Sequence, residues 1–139
     1  KGFKGAGELT NEVTLAEADV LRFARRDKDY LGKALTLNDD LPWLCAYLEI
    51  EPDGVADGHG GEAVLLEGKV VGSTASVAYG PTVGKIRAFA YVNPEAAGPG
   101  TERQVVTHGR ERRARVRAEP AYDPASLLPR QDIVSAAAE

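Results

Sequence analysis

Residues 68–92 decide the fold, and they read Gly68-Lys-Val-Val-Gly-Ser-Thr-Ala-Ser-Val-Ala-Tyr-Gly-Pro-Thr-Val-Gly-Lys85 followed by Ile86-Arg-Ala-Phe-Ala-Tyr-Val92. Two apolar runs flank a break at Tyr79-Gly80-Pro81-Thr82, and glycine recurs at positions 68, 72, 80 and 84. β-Branched side chains pack well on a pleated surface, whereas glycine and proline mark turns and bends. The stretch therefore predicts two core strands, 70–79 and 85–92, at the centre of a small β domain.

The chain on either side of this stretch predicts four more strands. Along residues 43–50 every second side chain is apolar, which is typical of a strand with one buried face. Residues 63–66 precede the acid–glycine turn Glu67-Gly68, and residues 102–108 and 112–118 predict a last hairpin. Short strands with turns about every ten residues predict a mainly β fold, either a sandwich or a small barrel.

The N-terminal part of the chain has a helical period instead. Thr14-Leu-Ala-Glu17 has the spacing of a capping box and predicts a helix over 14–25. A second helix is predicted over 28–35, and the Asn38-Asp39-Asp40-Leu41-Pro42 cluster ends it. We therefore expect a boundary near 38–42, which separates a helical segment, 1–41, from a β domain, 42–131, and a tail, 132–139.

Composition excludes several classes of protein. The shares of apolar and charged residues, 43% and 27%, are ordinary for a globular chain of 139 residues. A net charge of −4 argues against nucleic acid as a partner, because phosphate contacts need a basic surplus. No apolar run approaches the roughly 20 residues that span a bilayer, so no membrane partner is predicted. The single cysteine excludes an internal disulfide, and we expect a cytoplasmic protein.

The residues that could bind a metal or attack a substrate are few. His59 and His108 lie far apart in the sequence, whereas metal ligands recur at short spacing. No metal site is predicted, and we expect both histidines in surface loops. Cys45 lies within the first predicted strand, where a core thiol is expected and not a nucleophile.

Two groups of basic residues have alternative interpretations. The arginines at 113, 115 and 117 alternate with apolar residues, which favours a charged edge strand over a nucleic-acid surface. Four basic residues cluster at the end of the first predicted helix and the start of the next turn, where they would stabilise the helix C-terminus: Arg22, Arg25, Arg26 and Lys28. The alternative is a site for an anionic or carbonyl-rich ligand at the domain junction. Arg130 is either a solvent-exposed tail residue or a ligand contact.

Residues 68–92 resemble the Val-Gly-x-x-Thr-Ser-x…Pro-Thr-x-Gly-Lys-x-Ile-Ala-x-Ala-Tyr-Val signature of the C-terminal barrel in the glycine cleavage T-protein (aminomethyltransferase) family. Residues 1–14 and Asp27-Lys-Asp-Tyr-Leu-Gly-Lys-Ala-Leu35 resemble the end of that family's folate-binding domain. Pro120-Ala-Tyr-Asp-Pro124 and Arg130 complete the pattern. The resemblance is closest to the fused branch, in which a dimethylglycine or sarcosine oxidising flavin half precedes this module. It implies a six-stranded barrel of jelly-roll or Greek-key type after a short helical segment.

The resemblance also implies an activity: transfer of a one-carbon unit from a dimethylglycine-, sarcosine- or glycine-derived amine to tetrahydrofolate, which gives 5,10-methylenetetrahydrofolate. By position, Lys28 and Arg130 match ligand-contacting residues of the family. The complete set of expected cofactor-binding residues is Lys28, Arg22, Arg25, Tyr122 and Arg130. The family's catalytic aspartate falls upstream of this chain, so no catalytic residue is expected here.

The chain contains no methionine, not even at position 1, and we expect a piece of a longer polypeptide that is inert alone. Its expected partners are folate, a small amine and upstream domains of the same polypeptide, which would hold any FAD. Two departures from the family weaken individual contacts: Asp57-Gly58-His59 stands where T-proteins often carry an arginine, and Ala121 replaces a bulky apolar residue. The alternative function is a non-catalytic β-barrel scaffold or folate-sensing domain of the same fold.

Overall fold

The computed structural model, which describes residues 3–54 and 57–130, contains a closed six-stranded antiparallel barrel. The strands are β1 (Leu44–Ile50), β2 (Ala63–Leu66), β3 (Lys69–Gly80), β4 (Lys85–Val92), β5 (Glu102–Thr107) and β6 (Arg110–Arg117). Their order around the barrel is β1, β4, β3, β2, β5, β6, and β6 pairs back with β1. Strands β2 to β4 follow one another and β1 lies beside β4, which is a Greek-key arrangement. The predicted mainly β fold and its six strands are confirmed.

The stretch 68–92 forms the β3–β4 hairpin, and one glycine in it is required sterically. Gly72 pairs with Val92, and a Cβ atom at Gly72 would lie 2.1 Å from the carbonyl oxygen of Tyr91. The two backbones therefore approach more closely than any side chain at this position allows. The register shifts between Thr74 and Ser76, which marks a β-bulge in the middle of β3.

Small and branched apolar side chains fill the barrel. Along β1 the buried residues are Ala46, Leu48 and Ile50, as the alternation predicts, while Cys45 and Tyr47 lie on the outer face. The core cluster is Ala46, Leu48, Ile50, Val64, Ile86, Ala88, Ala90, Val92, Ala96, Val105, Ala114 and Val116.

The arginine-rich strand β6 has a solvated outer face, but it is not an edge strand. Arg113 and Arg115 are exposed, whereas the alternating Ala114 and Val116 are buried. β6 pairs with both β5 and β1, so the predicted edge position is wrong. The charges cover the outside of a barrel whose closure leaves no edge at β6.

The predicted helix over 14–25 is wrong, although its capping box forms. The amide of Thr14 donates to Glu17 Oε2 at 2.7 Å, and the amide of Glu17 donates to Thr14 Oγ1 at 3.1 Å. One turn later Asp19 adopts a φ of 54°, and the amide of Val20 donates to the carbonyl of Leu15 at 2.9 Å. This is a Schellman-type ending, so the helix stops after a single turn. Further on, only a 3-10 turn at Leu21–Phe23 remains.

The segment 14–20 packs against the barrel instead of extending as a helix. Ala18 is almost fully buried, and the amide of Cys45 in β1 donates to the carbonyl of Glu17 at 2.8 Å. Short helices depend on tertiary packing more than on intrinsic propensity. Here the contacts to the barrel favour a compact turn.

The second predicted helix, 28–35, is much shorter than expected. Only α1 (Lys33–Thr36) forms, and it starts after Gly32, whose φ of 83° breaks any earlier helix. Leu31 and Leu35 on this segment are exposed, so no packing within the described residues stabilises a longer helix. Two further 3-10 turns lie at Pro94–Ala96 and Leu128–Arg130. The division into 1–41 and 42–131 stays a prediction, and the predicted tail, 132–139, lies outside the described residues.

Candidate functional site

The two segments that flank the barrel meet over its outer face and enclose a cleft of about 340 Å³. They meet because β1 and β6 are antiparallel neighbours, so the chain enters and leaves the barrel at the same end. We call this cleft the terminal cleft. It is lined by Phe3, Lys4, Asp19, Arg22, Tyr47, Phe89, Ala118, Glu119, Pro120, Asp123, Pro124 and Ser126.

Two aromatic rings form the floor of the terminal cleft. Tyr47 of β1 and Phe89 of β4 are cross-strand partners, and their ring centroids lie 5.2 Å apart with planes tilted by 38°. Phe89 is only 9% exposed and Lys4 lies over its ring, so the Tyr47 ring is the part of this pair on which a planar ligand can stack. Both residues alternate with core residues along their strands, so their position outside the barrel follows from the strand period.

Lys4 supplies a cation above this floor. Its Nζ lies 5.3 Å from the centroid of the Phe89 ring and 3.5 Å from Asp19 Oδ2. The Lys4 side chain is only 12% exposed, and Asp19 already pairs with it, so a ligand anion would have to compete with Asp19 for this partly desolvated charge. The sequence analysis missed Lys4, because a single lysine between Phe3 and Gly5 carries no recognisable charge pattern.

Arg22 is the predicted site residue that lines the terminal cleft directly. Its Nη1 donates to the carbonyl oxygen of Asp19 at 3.3 Å, and its guanidinium lies 4.5 Å from the ring centroid of Phe23. Arg22 is exposed and also lines a neighbouring shallow depression, which it shares with Arg25. A ligand anion can therefore reach the Arg22 guanidinium from solvent.

Arg25 is already engaged by a carboxylate. Its Nε and Nη2 donate to the two oxygens of Asp27 at 2.8 and 2.6 Å. This bidentate pair raises the pKa of Arg25 and lowers the pKa of Asp27. Because both groups are exposed, a ligand anion would have to compete with Asp27 for the same donors.

Of the remaining predicted site residues, Tyr122 lines a cavity next to the terminal cleft, whereas Lys28 and Arg130 do not. Tyr122 lines a small cavity of about 100 Å³ that shares Tyr47 with the terminal cleft, so the structure brings Tyr122 and Arg22 to adjoining cavities. Lys28 and Arg130 are exposed and line neither of these cavities nor the Arg25 depression. Their predicted contacts with a ligand stay predictions.

A buried glutamate anchors the N-terminal flank beside the cleft. Glu8 is 3% exposed, and its carboxylate accepts hydrogen bonds from the Gly5 amide, at 2.7 Å, and from Ser76 Oγ at the β3 bulge. Tyr91 Oη donates to the Glu8 backbone carbonyl. Burial raises the pKa of Tyr91, so its hydroxyl stays protonated and remains a donor. These contacts position Lys4, four residues earlier in the chain.

Cys45 lies at the same contact between flank and barrel. Its burial raises the pKa of the thiol to about 11, so the reactive thiolate is scarce at neutral pH. The thiol is half-buried on the outer face of β1, under the N-terminal flank, and not in the barrel core as predicted. It lacks the depressed pKa that a nucleophilic cysteine requires.

The two histidines lie in surface loops, as predicted, but they are neighbours in space. Their ring centroids are 6.1 Å apart, and His108 Nε2 lies 3.0 Å from the backbone carbonyl oxygen of Asp57. Across residues 3–54 and 57–130, no group of three or more histidine, cysteine, aspartate or glutamate side chains is placed to hold a metal ion. Over the same residues, no helix is long and apolar enough to cross a membrane.

A comparison with known protein families matches residues 45–123 to the glycine cleavage T-protein C-terminal barrel domain. A probable aminomethyltransferase of Thermococcus kodakarensis is 31% identical over 117 residues, which is 82% of this chain and 29% of that protein. An aminomethyltransferase of Cutibacterium acnes is 28% identical over 83% of this chain and 32% of its own length. The mitochondrial dimethylglycine dehydrogenase of Mus musculus is 30% identical over 86% of this chain and 14% of its own length. The chain thus spans a third or less of each of these three relatives.

Proposed function

The chain belongs to the glycine cleavage T-protein family through its C-terminal barrel domain, and from this premise we propose that it is the C-terminal part of a tetrahydrofolate-dependent aminomethyltransferase-like module. The module transfers a one-carbon unit from an amine derived from dimethylglycine, sarcosine or glycine to tetrahydrofolate, which yields 5,10-methylenetetrahydrofolate. The observation that carries the proposal is the family match across residues 45–123, almost the whole barrel.

The terminal cleft fits one end of a folate. Folate combines flat aromatic rings with a carboxylate-bearing tail, and the cleft combines the Tyr47–Phe89 floor with the cations of Lys4 and Arg22. The same lining carries the carboxylates of Asp19, Glu119 and Asp123, with which a bound ligand carboxylate competes. In the proposal, the aromatic floor stacks against a ring and the two cations bind carboxylates through charge-assisted hydrogen bonds. Tyr122 lies in the small adjoining cavity, which shares Tyr47 with the cleft. The bound folate supplies the nitrogen nucleophiles of the reaction, and this chain's residues bind and orient it.

The remaining parts of the proposed reaction come from outside this chain. No residue here is assigned a catalytic role, and upstream domains of the same polypeptide complete the site and bind the small amine. The similarity to a dimethylglycine dehydrogenase supports a methylated glycine as the amine and an upstream domain that holds FAD. A cytoplasmic location remains part of the proposal.

Binding of 5-formyltetrahydrofolate to the full-length protein, measured by calorimetry, tests the site. Substituting Lys4→Ala and Arg22→Ala together should weaken binding about tenfold or more, because two charge-assisted contacts are lost. Lys28→Ala and Arg130→Ala should each weaken it by a smaller factor. Arg113→Ala is the matched control, since this arginine lies on β6 with its side chain 80% exposed.

The possible results of this experiment test the proposed site and the family membership separately. Unchanged affinity in all of the cleft variants would refute the site while leaving the family membership intact. A wild-type protein that binds no folate would instead favour the non-catalytic scaffold. Turnover of an aminomethyl donor by the 139-residue chain alone would contradict the proposal that upstream domains supply catalysis.

A further inference from the structure

We propose that the small cavity beside Arg87, next to the terminal cleft, is a binding site for a carboxylate group. We call it the Arg87 pocket. It has a volume of about 100 Å³ and lies between the outer face of the barrel, the β3–β4 turn and the C-terminal flank. The residues that carry the argument are Arg87, Tyr47, Thr82 and Tyr122, all of which line it.

Arg87 has a hydrogen-bond donor with no partner among residues 3–54 and 57–130. Its side chain is only 13% exposed, and its Nη1 donates to Glu49 on the neighbouring strand. Its Nε is buried and finds no acceptor in this part of the chain. Leaving a buried charged donor unpaired is costly, so a rotation of the Arg87 side chain that brings Nε to a carboxylate in the pocket is favoured.

The charges around the pocket also favour an anion. Glu49 is the carboxylate that contacts Arg87, and it lies 3.9 Å from Arg117 Nη1 as well. One carboxylate therefore faces two guanidinium groups, which leaves one positive charge uncompensated. Burial opposes ionisation of Glu49, yet the hydrogen bond and charge of Arg87, with Arg117, lower its pKa, so Glu49 is already charged at neutral pH. Ionisation of Glu49 cannot supply the missing negative charge.

The size of the pocket limits what can enter it. A volume of about 100 Å³ has room for a group the size of a carboxylate. A carboxylate matches the planar fork of a guanidinium better than a spherical anion does. Tyr47, Thr82 and Tyr122 line the pocket and each carries a hydroxyl group, a kind of donor that suits carboxylate oxygens.

The Arg87 pocket adjoins the terminal cleft, because Tyr47 lines both cavities. A ligand whose rings lie on the Tyr47–Phe89 floor could therefore place a carboxylate in the Arg87 pocket. The inference concerns the carboxylate alone and does not depend on folate as the ligand. Failure of either proposal leaves the other standing.

Nuclear magnetic resonance of the 139-residue chain labelled with 15N-arginine tests the pocket, with sodium acetate as the probe. The Nε–Hε signal of Arg87, assigned by its loss in Arg87→Lys, should shift with acetate and reach saturation. The signal of Arg113, which is exposed on β6, should shift weakly and without saturation. Chloride at equal concentration controls for ionic strength, and inorganic phosphate controls for the preference for a planar anion.

Two variants separate binding from folding. Ala121→Leu fills the pocket from the C-terminal flank and should abolish the saturating shift while Arg87 remains in place. Tyr122→Phe removes one hydroxyl and should weaken acetate binding several-fold. Circular dichroism checks that both variants keep the wild-type sheet content. A linear response of Arg87, an equal saturating response to chloride or phosphate, or an unchanged response in a folded Ala121→Leu variant would each overturn the proposal.

Discussion

The barrel and its two flanking segments, 3–43 and 118–130, are stabilised in opposite ways. Each barrel strand pairs with two neighbours, and the core residues are almost completely shielded from water. The flanks consist mainly of turns, and the N-terminal flank is anchored to the barrel by single contacts such as those of Glu8 and Glu17. Its large apolar side chains are exposed: Phe3 is 77%, Phe23 70% and Leu35 70% accessible.

This difference shows that most of the family signature and the two cations of the terminal cleft occupy different regions, although Phe89 on the cleft floor belongs to the signature. The motif of residues 68–92 consists of side chains and glycines that shape the barrel, and Gly72 is the clearest example. Lys4 and Arg22, the two cations that line the terminal cleft, lie in the flank. Likeness in the barrel therefore identifies how the chain folds, while what it binds depends on residues with weaker sequence signals.

The largest expected effect is that of Gly72→Ala. The added Cβ would meet backbone atoms of β4 at 2.1 and 2.7 Å, and backbone cannot rotate away as a side chain can. We expect a loss of about 4 kcal/mol in the free energy of unfolding, measured by urea denaturation. Gly98→Ala is the control, because its Cβ would meet only a Thr101 methyl group at 3.7 Å. Equal stability of the two variants would show that the barrel tolerates expansion at β3–β4.

A smaller effect should separate two leucines that differ in location. Leu48 is fully buried in the barrel, so Leu48→Ala should lower the free energy of unfolding by about 3 kcal/mol. Leu35→Ala, in the flank, should change it by less than about 0.5 kcal/mol. Thermal unfolding of both variants checks this. A large loss for Leu35→Ala would mean that the flank contributes to the cooperative core.

The smallest effect concerns local opening of the N-terminal flank, which Cys45 can report. With a pKa near 11 instead of 9.0, the thiol should react with iodoacetamide at pH 8 about a hundredfold more slowly than an exposed cysteine. The rate should rise as the pH increases towards the folded pKa. The raised pKa contributes stability that is present below the unfolded pKa and is lost as the pH rises through about 11.

A capping variant sharpens this measurement. Thr14→Ala removes the hydroxyl that accepts from the Glu17 amide, and it should weaken the turn by about 1 kcal/mol and accelerate alkylation about fivefold. Thr10→Ala is the control, since Thr10 Oγ1 makes only an exposed local contact with the Glu12 amide. Equal acceleration in both variants would indicate that Cys45 reacts without opening of the 14–20 turn.

The sequence predicts the barrel well because its signals are local. Strand alternation and the Glu67-Gly68 turn depend on neighbouring residues, and both partners of the β3–β4 hairpin lie within one stretch. Barrel closure is different, since the pairing of β6 with β1 joins segments more than sixty residues apart. Residue patterns alone therefore left sandwich and barrel undecided and placed β6 at an edge, and the family resemblance supplied the barrel.

The flank and the site were harder to predict for the same reason. The capping box at Thr14 and Glu17 is real, but contact with β1 and the conformation of Asp19 end the helix after one turn. The cation of Lys4 acquires its environment from Phe89 and Asp19, which are distant in sequence. A signal was present for Tyr47: the strand period places it outside the barrel, where an aromatic residue needs a partner.

The position of the two chain ends on the barrel has a mechanical consequence. The chain enters at Leu44 and leaves at Arg117, and Arg117 pairs with Tyr47 near the start of β1. Tension applied through the two flanks would pull β1 and β6 apart from this end, breaking their backbone hydrogen bonds one after another and not all at once. Under a pulling force applied through the flanks, the β1–β6 pair is therefore expected to open first. This weakness is specific to force, because heat and denaturant act on the whole barrel.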